Sequence, residues 1–388
     1  MKQKIVILGS TGSIGKTVID ILKKDKKSFE IKLLTADKNI KELLKQVKLF
    51  EVKNIIIIDH KKFLLVKNLL KDKKINIYNS FSSIPKIFKN EKIDYTMNAL
   101  SGLDGLDPTL KIIKHTNKIA IANKESIICG WNLIQIELKK NKTEFIPIDS
   151  EHFSIWSLIN TETDINIEKV FITASGGPFL NYPLKKFKSI TPKLALKHPN
   201  WKMGNKITID SATMMNKVFE IVEAKKIFAV DYKKIEILVH PKSYVHAIVK
   251  FSNGLIKILA HDTNMKIPIF NSIYPNFQKK IKTNILDLKN LNNLNFKPID
   301  KRRFPIVKIL EILPISESLF ETVIVSANDT LVNFFLDKKI KFNDIAKILL
   351  TILNLREFKK YKKIKPKNIA QIKNLSKYVT VKIKSLSV

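Results

Sequence analysis

Two carboxylates stand two residues apart in the segment Asp149-Ser150-Glu151-His152. The apolar run at residues 145–148 precedes them and predicts a strand. Ligands of open α/β sheets bind beyond the carboxyl ends of the strands, and carboxylate oxygens there suit one hard divalent cation. The same residues also fit an ordinary helix start, in which Asp149 or Ser150 caps a helix that begins near His152.

A third carboxylate is available further along the chain at Glu220. We expect Ser211 to cap a helix on which Asn216 and Glu220 lie one turn apart on the same face. With Asp149 and Glu151, Glu220 would complete a set of three carboxylates of the kind that binds Mg²⁺ or Mn²⁺. A capped surface helix without any ligand explains the same spacing.

Several segments offer donors for a phosphate. Ser211, Asn216 and Lys217 supply a hydroxyl, an amide and an ammonium. The loop at residues 175–179 follows a strand predicted at 170–174 and can present N–H and hydroxyl groups to an anion. Residues 198–205 contain Pro, Gly, Trp and Met without periodicity, which fits either a mobile lid over a ligand or a structural loop with its Trp in the core.

The first thirty-odd residues indicate a dinucleotide site. A buried strand at 5–8 is followed by Gly9-Ser10-Thr11-Gly12-Ser13-Ile14-Gly15, then a helix and a strand at 29–34. Such glycines let backbone N–H groups and a helix N-terminus approach a pyrophosphate. After the second strand, Asp37 favours a ribose 2′-hydroxyl and Lys38 a 2′-phosphate, so the choice between NAD and NADP stays open at this point.

The remaining pattern predicts an α/β fold with three parts. These are an N-terminal Rossmann-like dinucleotide-binding domain (1–147), a central α+β catalytic domain with a dimerising sheet (148–273) and a C-terminal helical domain (302–388), the last two joined by a linker (274–301). We expect further strands at 54–59, 95–100 and 118–122, and a hairpin around residues 252–254. His240 and His246 are expected to be structural, and the final Lys-rich residues to fray.

Composition limits the class of protein. The net charge is +35, but only three of the 70 basic residues are arginines and the lysines are spread along the chain, so we expect no nucleic-acid partner. No apolar run reaches a membrane span, and the short run near Met1 leads into a glycine loop rather than a cleavage site. With its single Cys129, the sequence predicts a cytoplasmic enzyme.

Six ordered blocks together resemble the 1-deoxy-D-xylulose 5-phosphate reductoisomerase family. They are residues 9–15, 122–126, 149–152, 175–179, 198–204 and 211–220. The resemblance implies a homodimer that rearranges and reduces a phosphorylated sugar, with NADPH and a divalent cation (Mn²⁺, Mg²⁺ or Co²⁺). The product would be 2-C-methyl-D-erythritol 4-phosphate, an isoprenoid precursor.

The resemblance also implies roles for individual residues. The metal ligands would be Asp149, Glu151 and Glu220, which with Lys124 form the catalytic set. The cofactor would contact Thr11, Gly12, Ser13, Ile14, Asp37, Lys38, Asn39, Asn123, Glu125 and Gly204. The substrate would contact Lys124, Ser150, Ser175, His198, Trp201, Ser211, Asn216 and Lys217.

Two departures from the family pattern affect these expectations. Asp37 replaces a usual glycine beside the 2′-phosphate position, which weakens the NADP assignment. His261-Asp262-Thr263-Asn264 replaces a Gly, Pro and Asp pattern and can alter the strand end beside the active site. The rival interpretations are a metal-free dehydrogenase or semialdehyde-type reductase, and a basic protein that binds nucleic acid with steep salt dependence.

Overall fold

The computed structural model describes residues 1–159, 166–201, 203–274 and 279–386. By its packing the chain falls into two compact units. The first comprises Met1–Ile127, Asn132–Asp149 and Met265–Lys282, and the second Ile128–Trp131, Ser150–Asn264 and Thr283–Val388. The division into domains at 147, 273 and 301 stays a prediction, and residues 275–278 of the expected linker lie outside the described ranges.

A seven-stranded parallel sheet forms the centre of the first unit. Its strands are β1 (Gln3–Leu8), β2 (Phe29–Ala36), β3 (Asn54–Ile57), β4 (Asn76–Tyr78), β5 (Ile93–Asn98), β6 (Thr116–Ile121) and β7 (Glu144–Pro147). The order is β4-β3-β2-β1-β5-β6-β7, so the strand order reverses between β1 and β5. This is the arrangement of doubly wound dinucleotide-binding sheets, which confirms the predicted fold class for this unit.

The apolar run of β1 has the composition that a central parallel strand requires. Residues 5–8 are completely buried because helices cover both faces of the sheet. The helices are α1 (Ser13–Lys23), α2 (Ile40–Phe50), α3 (His60–Leu69), α4 (Ile84–Ile87), α5 (Leu106–Ile113), α6 (Lys124–Asn141) and α11 (Lys266–Ile273). The last of these packs on α1 although it comes late in the chain. Tyr95 on β5 also binds Ser272 of α11, with 2.7 Å between the two hydroxyl oxygens.

A five-stranded mixed sheet lies in the second unit. Its strands are β8 (Ile167–Ala174), β9 (Ile235–Val239), β10 (Val245–Phe251), β11 (Ile256–Ala260) and β12 (Lys297–Pro298), in the order β11-β10-β8-β9-β12. The predicted hairpin is present between β10 and β11. Strand β12 falls in the expected linker, which is therefore partly structured: it pairs with β9 and follows α12 (Leu288–Asn292).

Helices make up the rest of the second unit. They are α7 (Ser150–Ile159), α8 (Pro192–Ala195), α9 (Asn205–Thr213), α10 (Met215–Phe228), α13 (Phe320–Leu336), α14 (Phe342–Asn354), α15 (Arg356–Lys359) and α16 (Ile369–Leu386). The helical C-terminal part is confirmed, with α13 packed against α14 and α16. The expectation that the Lys-rich end frays is wrong for α16, because Ile372, Val379 and Ile383 form a fully buried stripe on it; residues 387 and 388 lie outside the described ranges. Within the described ranges, no helix is both long and apolar enough to cross a membrane.

Candidate active site

Three carboxylates converge where α7 begins. Asp149 immediately precedes α7 and Glu151 lies in its first turn, so the chain itself holds the two side chains close together. Glu220 comes from α10, and one ligand oxygen from each of the three residues lies within 4.8 Å of the others. Glu220 is 1% exposed and Glu151 8%. We call Asp149, Glu151 and Glu220 the acidic cluster.

Two ammonium groups accompany the acidic cluster. Lys217 Nζ lies 3.0 Å from Glu151 Oε1 and 2.5 Å from Glu220 Oε2. Lys124 donates a hydrogen bond to Asp149. Buried carboxylates repel one another unless a cation lies among them, and here the ammonium groups provide that charge. An all-oxygen donor set that already attracts cations fits a small hard divalent ion.

Three buried histidines surround the same carboxylates. His152 Nε2 is 2.8 Å from the Glu220 carbonyl oxygen, and His246 Nδ1 is 3.8 Å from Glu151 Oε1. The ring of His261 stacks on that of His246 with 3.8 Å between their centroids. Burial, followed by the neighbouring His246, lowers the pKa of His261 to about 4. The His261 ring is therefore a packed support of the site, held neutral in part by desolvation.

A second cluster forms around the loop that follows β8. Ser175 Oγ accepts a hydrogen bond from Gly177 N at 3.1 Å. Gly176 and Gly177 have φ values of 83° and 63°, which a residue with a Cβ rarely adopts. A Cβ on Gly177 would also come within 3.0 Å of the Ser211 carbonyl oxygen. The two glycines thus let the loop pack directly on the last turn of α9.

His198 joins the two serines and has a defined protonation state. Its Nδ1 accepts from the backbone N–H of Trp201 at 2.9 Å and of Asn200 at 3.2 Å, so the neutral ring carries its hydrogen on Nε2. Nε2 lies 3.0 Å from Ser211 Oγ and 3.3 Å from Ser175 Oγ. Burial, with Lys217 as a second cause, lowers the pKa of His198 to about 4. Because both hydroxyl oxygens can accept from His198, their own hydrogens can donate to an anion.

The segment at residues 198–205, predicted as a possible lid, is more exposed than the two clusters. Trp201 is half-buried, and its ring meets the edge of the His246 ring at 6.2 Å between centroids. Gly204 is exposed at the N-cap of α9 with open space where a Cβ would be. Lys202, inside the same segment, lies outside the described residues. The structure therefore places an aromatic ring next to the histidine stack.

The glycine loop of the first unit has two positions that require glycine. Gly9 has a φ of 80°, and a Cβ there would lie 2.7 Å from the Ala99 carbonyl oxygen. A Cβ on Gly15 would lie 2.3 Å from the Gly9 carbonyl oxygen. Gly12 is the N-cap of α1 and provides no side-chain cap, so the first N–H groups of α1 stay available at the switch point of the sheet. This geometry suits a pyrophosphate.

The predicted cofactor residues near the glycine loop differ in their surroundings. Asn123 donates from Nδ2 to the carbonyl oxygens of Leu100 and Gly102, both at 2.8 Å, and accepts from Ser126 N at 2.6 Å. It therefore joins the ends of β5 and β6 to the start of α6. Beyond β2, Asp37, Lys38 and Asn39 are all exposed, and Asn39 also caps α2.

Comparisons with known proteins match successive parts of the chain to one family. Family models described as 1-deoxy-D-xylulose 5-phosphate reductoisomerase, its C-terminal domain, and the DXP reductoisomerase C-terminal domain match residues 5–130, 145–228 and 261–380. A 1-deoxy-D-xylulose 5-phosphate reductoisomerase of Pelagibacter ubique (strain HTCC1062) is 63% identical over 387 residues, which cover 100% of both chains. The chain belongs to the 1-deoxy-D-xylulose 5-phosphate reductoisomerase family.

Other members of the reductoisomerase family support the same conclusion. The protein of Sulfurihydrogenibium sp. (strain YO3AOP1) is 36% identical over 92% of each chain. The solved reductoisomerase from Zymomonas mobilis, in complex with NADPH, has a TM-score of 0.88 at 29% identity and covers 100% of this chain and 99% of its own. A solved reductoisomerase with NADPH, fosmidomycin and magnesium has a TM-score of 0.89 at 29% identity, over 99% and 98% of the two chains.

The structure brings together the three predicted metal ligands and Lys124, but only part of the predicted substrate-binding set. Ser175, His198 and Ser211 form one cluster. Lys217, predicted at the phosphate, instead lies between two carboxylates, and Asn216 donates to Glu220. The expectation that Ser211 caps a helix is wrong: it lies in the last turn of α9, because Met214 in the left-handed region ends that helix before α10 begins.

Sequence reasoning missed three residues that support these clusters. His246 and His261 were not predicted to lie near Glu151. Their rings stack between β10 and the end of β11, and such a contact between two strands has no signature in a single sequence. Arg303, which donates to the carbonyl oxygens of Phe179 and Tyr182, was missed as well, although it is one of only three arginines in a lysine-rich chain. That rarity is the signal that could have drawn attention to it.

Proposed function

We propose that this chain converts 1-deoxy-D-xylulose 5-phosphate into 2-C-methyl-D-erythritol 4-phosphate by rearrangement and NADPH-dependent reduction. The reaction belongs to non-mevalonate isoprenoid precursor biosynthesis. The observation that carries the proposal is the acidic cluster, three converging carboxylates in a chain whose family match runs nearly from end to end.

A divalent cation would be held by Asp149, Glu151 and Glu220. When bound, it supplies Lewis-acid chemistry to a coordinated carbonyl and hydroxyl of the substrate. The relative solved with fosmidomycin contains magnesium, and we extend Mg²⁺, with Mn²⁺ and Co²⁺ as alternatives, to this chain. Lys217 and Lys124, which contact these carboxylates, would then be available to donate to substrate oxygens and orient them.

The serine and histidine cluster would hold the substrate phosphate. Neutral His198 donates from Nε2 and so orients the hydroxyls of Ser175 and Ser211 toward a phosphoryl group. Asn216 and Lys217 are proposed to contribute on substrate binding, Ser150 to contact the reacting end of the substrate, and Trp201 to cover the ligand. Binding energy from the phosphate, which does not react, can then be used to position the reacting carbons.

NADPH would bind along the glycine loop of the first unit and supply the hydride. Thr11, Gly12, Ser13 and Ile14 would contact its pyrophosphate at the start of α1. Asp37, Lys38 and Asn39 would lie near the ribose 2′-phosphate. We further propose that Asn123, Glu125 and Gly204 contact the cofactor.

We also propose that the protein is a cytoplasmic homodimer. Leu255, Ile256 and Ile258 are about half exposed on or beside the edge strand β11. An exposed apolar edge strand invites pairing with another chain, and a second copy would cover it. A monomer in equilibrium sedimentation at assay concentrations would refute this part.

Oxidation of NADPH, followed by its absorbance with 1-deoxy-D-xylulose 5-phosphate, tests the reaction. We expect turnover that stops after chelation and returns with Mg²⁺, Mn²⁺ or Co²⁺. NADH in a parallel assay measures cofactor choice. Turnover that survives complete metal removal would favour the metal-free dehydrogenase instead, and no turnover by folded, metal-loaded protein would contradict the proposed substrate.

A further inference from the structure

The loop that carries Ser175 is held at its two ends by different parts of the second unit. Its start is held by β8, which pairs on both sides within the second sheet. Gly176 and Gly177 follow at positive φ, a backbone conformation that residues with a Cβ rarely adopt. The position of Ser175 relative to Ser211 therefore depends on what holds the exit of the loop.

Arg303 holds that exit. Its Nη1 donates to the carbonyl oxygen of Phe179 at 2.9 Å and to that of Tyr182 at 2.6 Å. Phe179 ends the short 3₁₀ turn Gly177–Phe179, and its carbonyl oxygen also accepts from the Tyr182 N–H at 3.2 Å. A charged donor shared by two carbonyl groups is among the stronger hydrogen-bonding arrangements in proteins.

Aromatic packing keeps the guanidinium in place. Its central carbon lies 5.6 Å from the ring centroid of Phe187, a cation–π distance. Phe179 packs edge-on against Phe342 at 5.0 Å, and Phe187 lies 5.9 Å from Phe179. These contacts connect the loop to α14 through Phe342 and to Arg303, which lies more than 120 positions later in the chain.

Lysine could not make the same set of contacts. The guanidinium is planar and can lie over a ring while its N–H groups point sideways, whereas an ammonium is a compact, strongly hydrated charge. The chain uses lysine for nearly all of its cations but has arginine here. The adjacent Arg302 is different, since its side chain is 91% exposed.

We infer that Arg303 is a positioning residue for the substrate phosphate. It acts through the loop and does not touch the phosphate. By fixing the carbonyl groups of Phe179 and Tyr182, it holds Ser175 against His198 and Ser211. The inference rests on the proposed function, in which these two serines bind the phosphate.

The test compares Arg303→Met, Arg303→Lys and the exposed control Arg302→Met. We expect Arg303→Met to raise KM for 1-deoxy-D-xylulose 5-phosphate about tenfold or more, as for losing a charged hydrogen bond, with kcat changed much less. Competitive inhibition by inorganic phosphate should weaken in parallel. The KM of Arg303→Lys should lie between those of Arg303→Met and the unaltered enzyme, because one of the two hydrogen bonds can survive. Arg302→Met should have the KM of the unaltered enzyme.

The outcomes separate this inference from the proposed function. An unaltered enzyme without turnover would overturn the proposed function, whatever the Arg303 variants do. Turnover by the unaltered enzyme, with KM and phosphate inhibition unchanged in Arg303→Met, would overturn the inference alone. A fall in kcat at constant KM would mean a merely structural role and also overturn it. If Arg303→Met does not fold, Arg303→Lys is judged by the same criteria.

Discussion

His198 Nε2 lies 3.0 Å from Ser211 Oγ, and the other ring nitrogen of His198 accepts two backbone N–H groups. The hydroxyl of Ser211 is therefore an acceptor toward His198 and a donor toward whatever enters the cluster. Ser211→Ala removes that donor and should raise substrate KM about tenfold with a smaller change in kcat. Ser189→Ala, an exposed serine of the same unit, is the control. An unchanged KM in Ser211→Ala would argue against phosphate binding at this cluster.

Lys217 takes the place of a cation between Glu151 and Glu220 in the metal-free protein. Lys217→Met leaves buried carboxylates uncompensated, which should lower the free energy of unfolding by about 3 kcal/mol. Added Mg²⁺ should stabilise this variant more than the unaltered protein, because the ion supplies the missing charge. Urea unfolding with and without Mg²⁺ measures both effects, with the exposed Lys347→Met as control. Equal Mg²⁺ stabilisation of the variant and the unaltered protein would contradict this account.

The stacked His261 makes stability depend on pH. Its folded pKa of about 4 is below the ordinary 6.5, so the unfolded chain binds the proton more readily. This contribution to stability is complete above pH 6.5 and is lost as pH falls toward 4. In the metal-free protein, His261→Asn should reduce the loss between pH 7.5 and pH 5 by about 1–2 kcal/mol in urea unfolding. If the stability of His261→Asn changes with pH as much as that of the unaltered protein, His261 does not have the lowered pKa that its burial predicts.

Asp37 should reduce the preference for NADPH. Its exposed carboxylate follows β2, where it would repel a ribose 2′-phosphate, while Lys38 would attract it. Asp37→Gly should raise the ratio of kcat/KM for NADPH over NADH about tenfold, and Lys38→Met should lower it. Steady-state kinetics with both cofactors measures the ratio. If both substitutions leave it unchanged, the 2′-phosphate binds elsewhere.

The sequence predicted those features that follow from local pattern. The buried strand 5–8, the glycine loop and the helix after it are set by neighbouring residues, and all are present. The pair Asp149 and Glu151 was placed correctly at a strand end for the same reason. Glu220 joined them through its spacing from Asn216 and the family resemblance.

Features that depend on contacts between distant residues were not predictable in this way. The His246 and His261 stack, the two bonds of Arg303 and the place of Lys217 between carboxylates all join residues far apart in the chain. Ser211 was misplaced as a helix cap because the left-handed residue that ends α9 is Met214, a residue type that carries no such signal. The apolar stripe of α16 was missed because lysines dilute it.

Asp149, Glu151 and Glu220 are proposed to bind one divalent ion that turnover requires. Titration calorimetry of the metal-free protein with Mn²⁺, beside turnover assays, tests it in Glu220→Gln and in the exposed control Glu236→Gln. We predict one site per chain in the unaltered protein and the control. In Glu220→Gln, affinity and turnover should fall together, affinity by at least about tenfold. Undiminished Mn²⁺ affinity in folded Glu220→Gln, or full turnover without bound metal, would contradict the account.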